Sequence, residues 1–565
     1  MFIVIMMQKS VAEIIVDYFV AGGVRRIYGI PGDSIDPLVE AIRKTGTLKY
    51  VQVRHEEGGA FAASFDAKLN RIPAACFGTS GPGSIHLLNG LYDAKMDKAP
   101  VIAITGQVDT EMIGHDYHQE VNITKLFDDV SIFNRMIVDA RSVPYLIARA
   151  IRESKRMSGV AHLNIPVNIL AEKIEVPRSL STYSSIPILS PDLSEAAKAI
   201  DESKFPVLLV GSGSTSEQQL VTALSKKIGA PIIYALMGKG IFSDDNPRVL
   251  GALGLLGSKP SMEAMAKADL IVAIGTTYPY QRFISEKAKI IQVDIDGGNL
   301  GREFQVDFAV LSDSHTFLAS IIEKVSEKKD KFELQFAPDI RSWNRELQEI
   351  ESRKYRFINP ARLARVISQK ADPDAVIVGD TGNTTVWIAR HFGARAGQRF
   401  LFSGGLASMG CSLPGGIGAS LSTDRQVISA VGDGGMAMTI MELATVKKYN
   451  IPVKIVVFNN SKLAMIKFEQ EVMGYPQWGV DLINPEFSTL ASAYGIDTQK
   501  IVSDSEIEAA VDAMLKSKGP FLLEAIVDPN AKPVPPKISF DQAKGYLIAG
   551  VKERIGYQPE MELNQ

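Results

Sequence analysis

The residues best suited to chemistry in this chain stand where strands end. Gly432-Asp433-Gly434-Gly435 follows the apolar run Val427–Val431, and Asn460 follows the run Lys454–Phe458, 27 positions beyond Asp433. Asp433 offers a hard carboxylate oxygen, Asn460 a neutral amide oxygen, and the main-chain carbonyl near Lys462 a third ligand. Mg²⁺ takes six oxygens in a near-octahedral array, so these three, two oxygens of a diphosphate and a water would complete its shell. Gly434 and Gly435 let backbone N–H groups approach the phosphates at the start of a helix, whose dipole favours an anion. An isolated Gly-Asp-Gly-Gly is ordinarily a tight turn. Its pairing with Asn460 argues for a site, because both ends then lie beyond the carboxyl ends of parallel strands, where open sheets bind ligands.

A second carboxyl group stands far away in the chain. In Val51-Gln52-Val53-Arg54-His55-Glu56-Glu57-Gly58-Gly59-Ala60 a strand is expected to end at His55 and a small-residue helix to begin. A buried Glu56 could share a proton with a bound group. The plainer reading has Glu56 and Glu57 simply favouring the positive end of that helix. Thr79-Ser80-Gly81-Pro82-Gly83 links a strand to a helix expected over Ser84–Met96. His115 and His118 have metal-like spacing but no third ligand, which leaves them in a polar loop.

Positioning these groups requires parallel sheets. β-Branched runs at Ala74–Phe77, Val101–Thr105, Val207–Val210, Leu270–Ile274, Val376–Val378, Val427–Val431 and Lys454–Phe458 alternate with helical patterns, the signature of strands joined by crossover helices. A chain of 565 residues exceeds one core, and at roughly 150–200 residues per domain three domains are expected. The Ser/Pro-rich stretch Pro177–Pro191 and the charged stretch Val325–Lys331, followed by a connecting helix around Trp343–Arg353, divide them. The reading is an α/β protein of three doubly wound parallel-sheet domains at 7–180, 190–325 and 355–535, with a tail at 536–565. The first and third domains could share a fold.

Charge and composition narrow the partners. A net charge of −3 and no basic run longer than Lys328-Lys329 leave no footprint for nucleic acid. Cys76 and Cys411, the only cysteines, sit among apolar or small residues and read as buried free thiols, which fits a reducing cytoplasm. Met1–Met7 is too short and lacks the basic flank of a secretory leader.

Taken together, the Gly-Asp-Gly that ends in Asn459-Asn460 resembles the diphosphate-binding motif of the thiamine diphosphate enzyme superfamily, and the resemblance covers almost the whole chain. Within it the chain resembles pyruvate oxidases and quinone-linked pyruvate dehydrogenases, more than acetolactate synthases. The resemblance implies thiamine diphosphate bound with Mg²⁺ at Gly432, Asp433, Gly434, Gly435, Asn460 and Lys462. Glu56, in a segment similar to the family's Arg-His-Glu, is then the carboxyl that hydrogen-bonds the aminopyrimidine. Ser403–Gly416 resembles the loop that bends the cofactor, with Ala407 beside it and Met409 as the wedge, a task that suits a polarizable side chain. Gln119, Met465 and Glu469 are implied around the substrate. His118 stands where relatives commonly carry Phe, and Met465 where an aromatic is usual, departures that bear on substrate size.

The middle domain decides where electrons go. Gly211-Ser212-Gly213 after the strand Val207–Val210 is a weak dinucleotide fingerprint alone. With Leu253-Gly254, Gly275-Thr276-Thr277-Tyr278-Pro279, Asp294 and Asp313 it resembles the flavin-contacting stretches of the oxidases, with Asp294 placed to bond sugar hydroxyls. The resemblance thus implies a central pyruvate-oxidase-like FAD domain. The activity implied is oxidative decarboxylation of pyruvate to CO₂ and acetate or acetyl phosphate, electrons passing through FAD to oxygen or quinone. It further implies a homodimer or homotetramer with sites at subunit interfaces. Two other readings share these residues: an acetolactate synthase whose flavin is structural or lost, and a non-catalytic cofactor-binding subunit. Phe540, Leu547, Ile548, Val551 and Ile555 could form one apolar helix face, but the acidic end at 557–565 lacks the basic face of a membrane-surface helix. A cytoplasmic enzyme without a stable membrane anchor is expected.

Overall fold

The computed structural model of the chain describes residues 8–175, 191–329 and 332–533. The expected linker at Pro177–Pro191 falls almost wholly outside these residues, and the tail with its apolar stripe lies beyond them.

Three six-stranded sheets carry the fold, and every strand pair within them is parallel. With the strands of each sheet numbered in chain order, the second sheet reads 3-2-1-4-5-6, the dinucleotide-binding order. The first and third sheets both read 2-1-3-4-6-5. They are thus one topology used twice. Helices cover both faces, so strands such as Val101–Gln107, Val160–Pro166 and Lys454–Asn459 are buried along their whole length. A short antiparallel pair, Gln8–Ser10 with Lys173–Glu175, ties together the two ends of the first domain.

The first and third domains dock through helices. Helix Glu56–Asn70 lies on its own sheet and against helix Ser412–Ser422, which leaves nearly all its residues buried. The backbones meet closely: a Cβ on Gly418 would stand 2.0 Å from the Ala62 carbonyl oxygen, and one on Gly415 2.7 Å from the Phe65 ring. This is why both helices are rich in Gly and Ala. At the far end Lys68 is buried, and its Nζ reaches Asp93 and Asp97 at 2.6 Å each and the Phe402 carbonyl at 3.0 Å. Burial alone would lower the Lys68 pKa, but the two carboxylates hold it above its ordinary value.

Three local expectations are corrected. The strand before Glu56 ends at Gln52, not His55, because Glu442 of the third domain accepts from the Arg54 and His55 N–H groups and draws the backbone out of the sheet. The helix expected over Ser84–Met96 is two, Pro82–His86 and Leu88–Met96, since Leu87 N–H bonds the Ser84 carbonyl three residues back and tightens the turn. The connecting helix begins much earlier, at Phe332, and passes through Pro338; Phe332 and Phe336 anchor it on the second domain's core. Cys76 and Cys411 are buried free thiols, as expected. Among the described residues no helix is long and apolar enough to cross a membrane.

Candidate active site

The third sheet reverses direction between its first strand, Val376–Gly379, and its third, Val427–Gly432, which are neighbours. Helices Asn383–His391 and Asp433–Thr439 start at the carboxyl ends of these strands. Their N-termini lie together, since a Cβ on Gly432 would sit 3.5 Å from Thr384 Oγ1. Gly382, the residue before the first helix, has φ +120° and open space beside it. Two adjacent helix starts with glycine backbones form a cradle for a diphosphate. Asn383 Oδ1 is buried there without a hydrogen-bond partner among the described residues.

Asp433 is buried at the mouth of this cradle, and burial pushes its pKa up. Asn484 Nδ2 donates to Asp433 Oδ2 at 2.7 Å and to Asn459 Oδ1 at 3.1 Å, while Asn459 in turn donates to Glu524 at 2.9 Å. Asn460 Oδ1 accepts from the Lys462 N–H at 3.0 Å, which folds Asn460 and Lys462 into one tight turn around Ser461, itself at φ +55°. Lys462 Nζ pairs with Asp481. The donor set is therefore one carboxylate and neutral oxygens, which fits a hard divalent cation.

The loop Ser403–Gly410 is held from both sides. Asp97 of the first domain accepts from the Gly404 and Gly405 N–H groups at 2.9 and 2.7 Å, and Asp380 accepts from Gly410 N–H at 2.9 Å. Ala407 takes φ +56° between these anchors. Met409 Sδ comes within 3.5 Å of where a Cβ on Gly434 would lie, so Met409 stands over the cradle. Asp380 is wholly buried, and desolvation lifts its pKa to about 7 against the N–H bonds from Thr381 and Gly410.

In the first domain Glu56 is buried at the first turn of its helix. His86 Nδ1 lies 3.0 Å from Glu56 Oε2, and the His86 ring stacks on His55 with centroids 4.3 Å apart. The Thr79–Gly83 loop presses on the carboxyl, as a Cβ on Gly83 would be 3.1 Å from Glu56 Oε1. Gln119, at φ +62°, packs on Gly81 of that loop. Glu56 and Gln119 are thus brought to one place, whereas His115 and His118 stay in an exposed loop.

The expected dinucleotide stretches Gly211–Gly213, Leu253–Gly254, Gly275–Pro279, Asp294 and Asp313 line a single cavity of about 790 Å³. Its loops cross too closely for side chains: a Cβ on Gly211 would be 2.4 Å from the Gly275 carbonyl oxygen. Tyr278, Ser312 and Lys98 line it, and their buried Oη, Oγ and Nζ atoms have no hydrogen-bond partner among the described residues. Such atoms are rare and suit a polar ligand. The same cavity is walled by Gly404, Gly405 and Ala407 and by Met465 and Glu469 of helix Ala464–Val472, so it runs from the second domain to the third domain's loop.

Reasoning from sequence missed Asp380, Asp97, Asn484, His86 and Glu442. Asp380 follows a strand as Asp433 does and was open to the same argument. The others act across long separations and carry no spacing signal.

Comparison with known proteins agrees with this arrangement. Residues 9–126 match the N-terminal TPP binding domain of thiamine pyrophosphate enzymes, residues 193–321 the central domain, and residues 380–525 the C-terminal TPP binding domain. YdaP of Bacillus subtilis (strain 168) is 37% identical over 548 residues, covering 96% of this chain and 95% of the relative. The pyruvate oxidase of Lactiplantibacillus plantarum is 33% identical over 93% of this chain and 89% of its own length. A protein of Methanocaldococcus jannaschii named "probable acetolactate synthase large subunit" is 31% identical, over 98% and 97% respectively. The chain belongs to the thiamine pyrophosphate enzyme family, the acetolactate synthase-like thiamine diphosphate-dependent enzymes.

Proposed function

We propose that this enzyme is a flavin-linked pyruvate oxidase. The observation that carries the reading is the continuous cavity: glycine loops of the second domain and the Gly404–Ala407 loop of the third wall one space, so a flavin and a thiamine ring could meet in it. When bound, thiamine diphosphate would supply the electron sink for decarboxylation, Mg²⁺ would neutralise diphosphate charge, and FAD would supply a two-electron acceptor.

The chain's own residues do the rest. Asp433, Asn460 and the Lys462 carbonyl would hold Mg²⁺, and the helix starts at Asn383 and Asp433 would hold the diphosphate. Glu56 would hydrogen-bond the aminopyrimidine, with His86 at 3.0 Å fixing its carboxyl. Met409 would stand between the cofactor's rings. Gln119 and Glu469 would orient the substrate carboxylate and carbonyl, and Met465 would screen them from water.

Exposed apolar side chains surround this region on the third domain: Met438, Ile466, Met473, Tyr475, Trp478 and Ile483, the last 88% exposed. A patch of this kind suits burial by a second copy. That supports a homodimer or homotetramer.

The test is the visible spectrum of the full-length protein with thiamine diphosphate and Mg²⁺, recorded anaerobically before and after pyruvate. Bleaching of a bound yellow flavin supports the oxidase. Acetolactate formed while the flavin stays oxidised would replace it with a synthase.

A further inference from the structure

Lys98 belongs to the first domain yet lines the second domain's cavity. Its Nζ is buried and has no hydrogen-bond partner among the described residues. The position is enforced: Lys98 takes φ +55°, its carbonyl accepts from Arg71 at 3.4 Å, and its neighbour Asp97 is locked to the Gly404-Gly405 loop. An ammonium group loses several kcal/mol on leaving water unless a partner replaces its hydration. Asp294 and Asp296 of the second domain are the acidic groups that act on it most strongly, with Glu303 further off and Arg302 opposing them. Asp294 Oδ1 already accepts from Asp296 N–H and Asn299 Nδ2, both at 2.9 Å. The cavity is therefore lined by residues of two different domains that carry a carboxylate acceptor and an unsatisfied ammonium donor. A sugar hydroxyl donates to the first and accepts from the second.

We propose that Lys98 is a dinucleotide-binding residue, donating from Nζ to an oxygen of the sugar or phosphate beside Asp294 and so coupling cofactor occupancy to docking of the first domain on the second. This rests on the flavin reading of the cavity. A hydrogen bond from a charged donor contributes about 1.5–3 kcal/mol, so its loss should weaken binding on the order of 10- to 100-fold.

The experiment uses the full chain with thiamine diphosphate and Mg²⁺ and measures FAD affinity by quenching of flavin fluorescence for wild type, Lys98→Met and Lys98→Arg. Melting temperature is measured with and without FAD. Lys98→Met should weaken FAD binding by the stated factor while the FAD-free melting temperature stays level or rises, because the substitution removes a buried unpaired charge. Lys98→Arg should bind FAD more tightly than Lys98→Met. Unchanged FAD affinity in Lys98→Met, or a fall in the FAD-free melting temperature equal to that of the loaded protein, would overturn the inference and make Lys98 a structural residue. Failure of the wild type itself to bind FAD would instead remove the flavin reading on which it rests.

Discussion

The first and third sheets share the strand order 2-1-3-4-6-5, yet the crevice where each sheet reverses is used in opposite ways. In the first sheet the crevice is filled by the protein. Ser34 Oγ lies 2.8 Å from Thr79 Oγ1 and accepts from Ser80 N–H at 2.7 Å, and a Cβ on the adjacent Gly106 would strike Ser34 Oγ at 2.2 Å. In the third sheet the same place is open: Gly382 faces open space, Asn383 Oδ1 has no hydrogen-bond partner among the described residues, and Asp433 is buried beside them. Topology makes a crevice at that position in any such sheet. Side chains decide whether it binds. The first domain's proposed contribution, Glu56, lies one strand over, after the second strand of its sheet.

The sharpest way to break this division of labour is to remove one part from each sheet. Glu56→Gln should lower turnover by roughly 10²–10⁴-fold, the range for loss of a positioned acid–base group. Mg²⁺-dependent binding of thiamine diphosphate should change by no more than a few-fold. Asp433→Ala should do the reverse, abolishing metal-dependent binding in a titration calorimeter. Equal loss of binding in both variants would show that the two sheets do not divide the task.

Filling the crevices tests the comparison directly. A Cβ on Gly435 would come 2.0 Å from Asp380 Oδ2, so Gly435→Ala should weaken thiamine diphosphate by at least about 100-fold through a clash in the cradle. Gly106→Ala makes an equally severe clash in the first sheet and should cost about 1–3 kcal/mol of stability while molecules that fold keep their cofactor affinity. Matching cofactor losses at the two glycines would contradict the contrast between filled and open crevices.

How far such contrasts can be read from sequence depends on the range of the contact. Strand ends with Gly and Asp, as at Gly432–Gly435, are local signals, and the residues of the dinucleotide loops could be placed because each loop follows an apolar run. The alternation of strands and helices was equally legible, while the filled state of the first crevice was not, since it depends on Ser34 meeting Thr79 across 45 residues. The pairing of Lys68 with Asp97, and of Asp97 with Gly404 across 307 residues, carries no periodicity at all. Buried charges in a helix otherwise made of Gly, Ala and Phe were the one available hint.

That clamp joins the two sheets, and Lys68→Met should separate them. Removing the cation strands Asp93 and Asp97 without their charge partner, which for buried pairs costs about 3–5 kcal/mol. A lowered melting temperature with faster proteolysis at the Gly404 loop is expected. Asp97→Asn together with Lys68→Met should recover part of the loss, and a double variant as unstable as the sum of the singles would show that the two do not act as a pair.

The smallest effect separates the acids that follow the first strand of each sheet. Asp33 is exposed, whereas Asp380 is wholly buried with its pKa lifted to about 7 by desolvation. A carboxyl raised in the folded state keeps its proton there to near pH 7 but releases it in the unfolded chain near its ordinary value. The folded protein then binds more protons across that window, so stability falls as pH rises from about 4 to 7 and levels off above. Between pH 5 and pH 7 that decline amounts to roughly 2–3 kcal/mol. Asn cannot ionise and can still accept from the Gly410 and Thr381 N–H groups, so Asp380→Asn should flatten the decline in melting temperature between pH 5 and pH 8 in cofactor-free protein. Asp33→Asn should leave it as in wild type. A decline in Asp380→Asn as steep as in wild type would place the proton elsewhere and remove Asp380 as the source of that pH dependence.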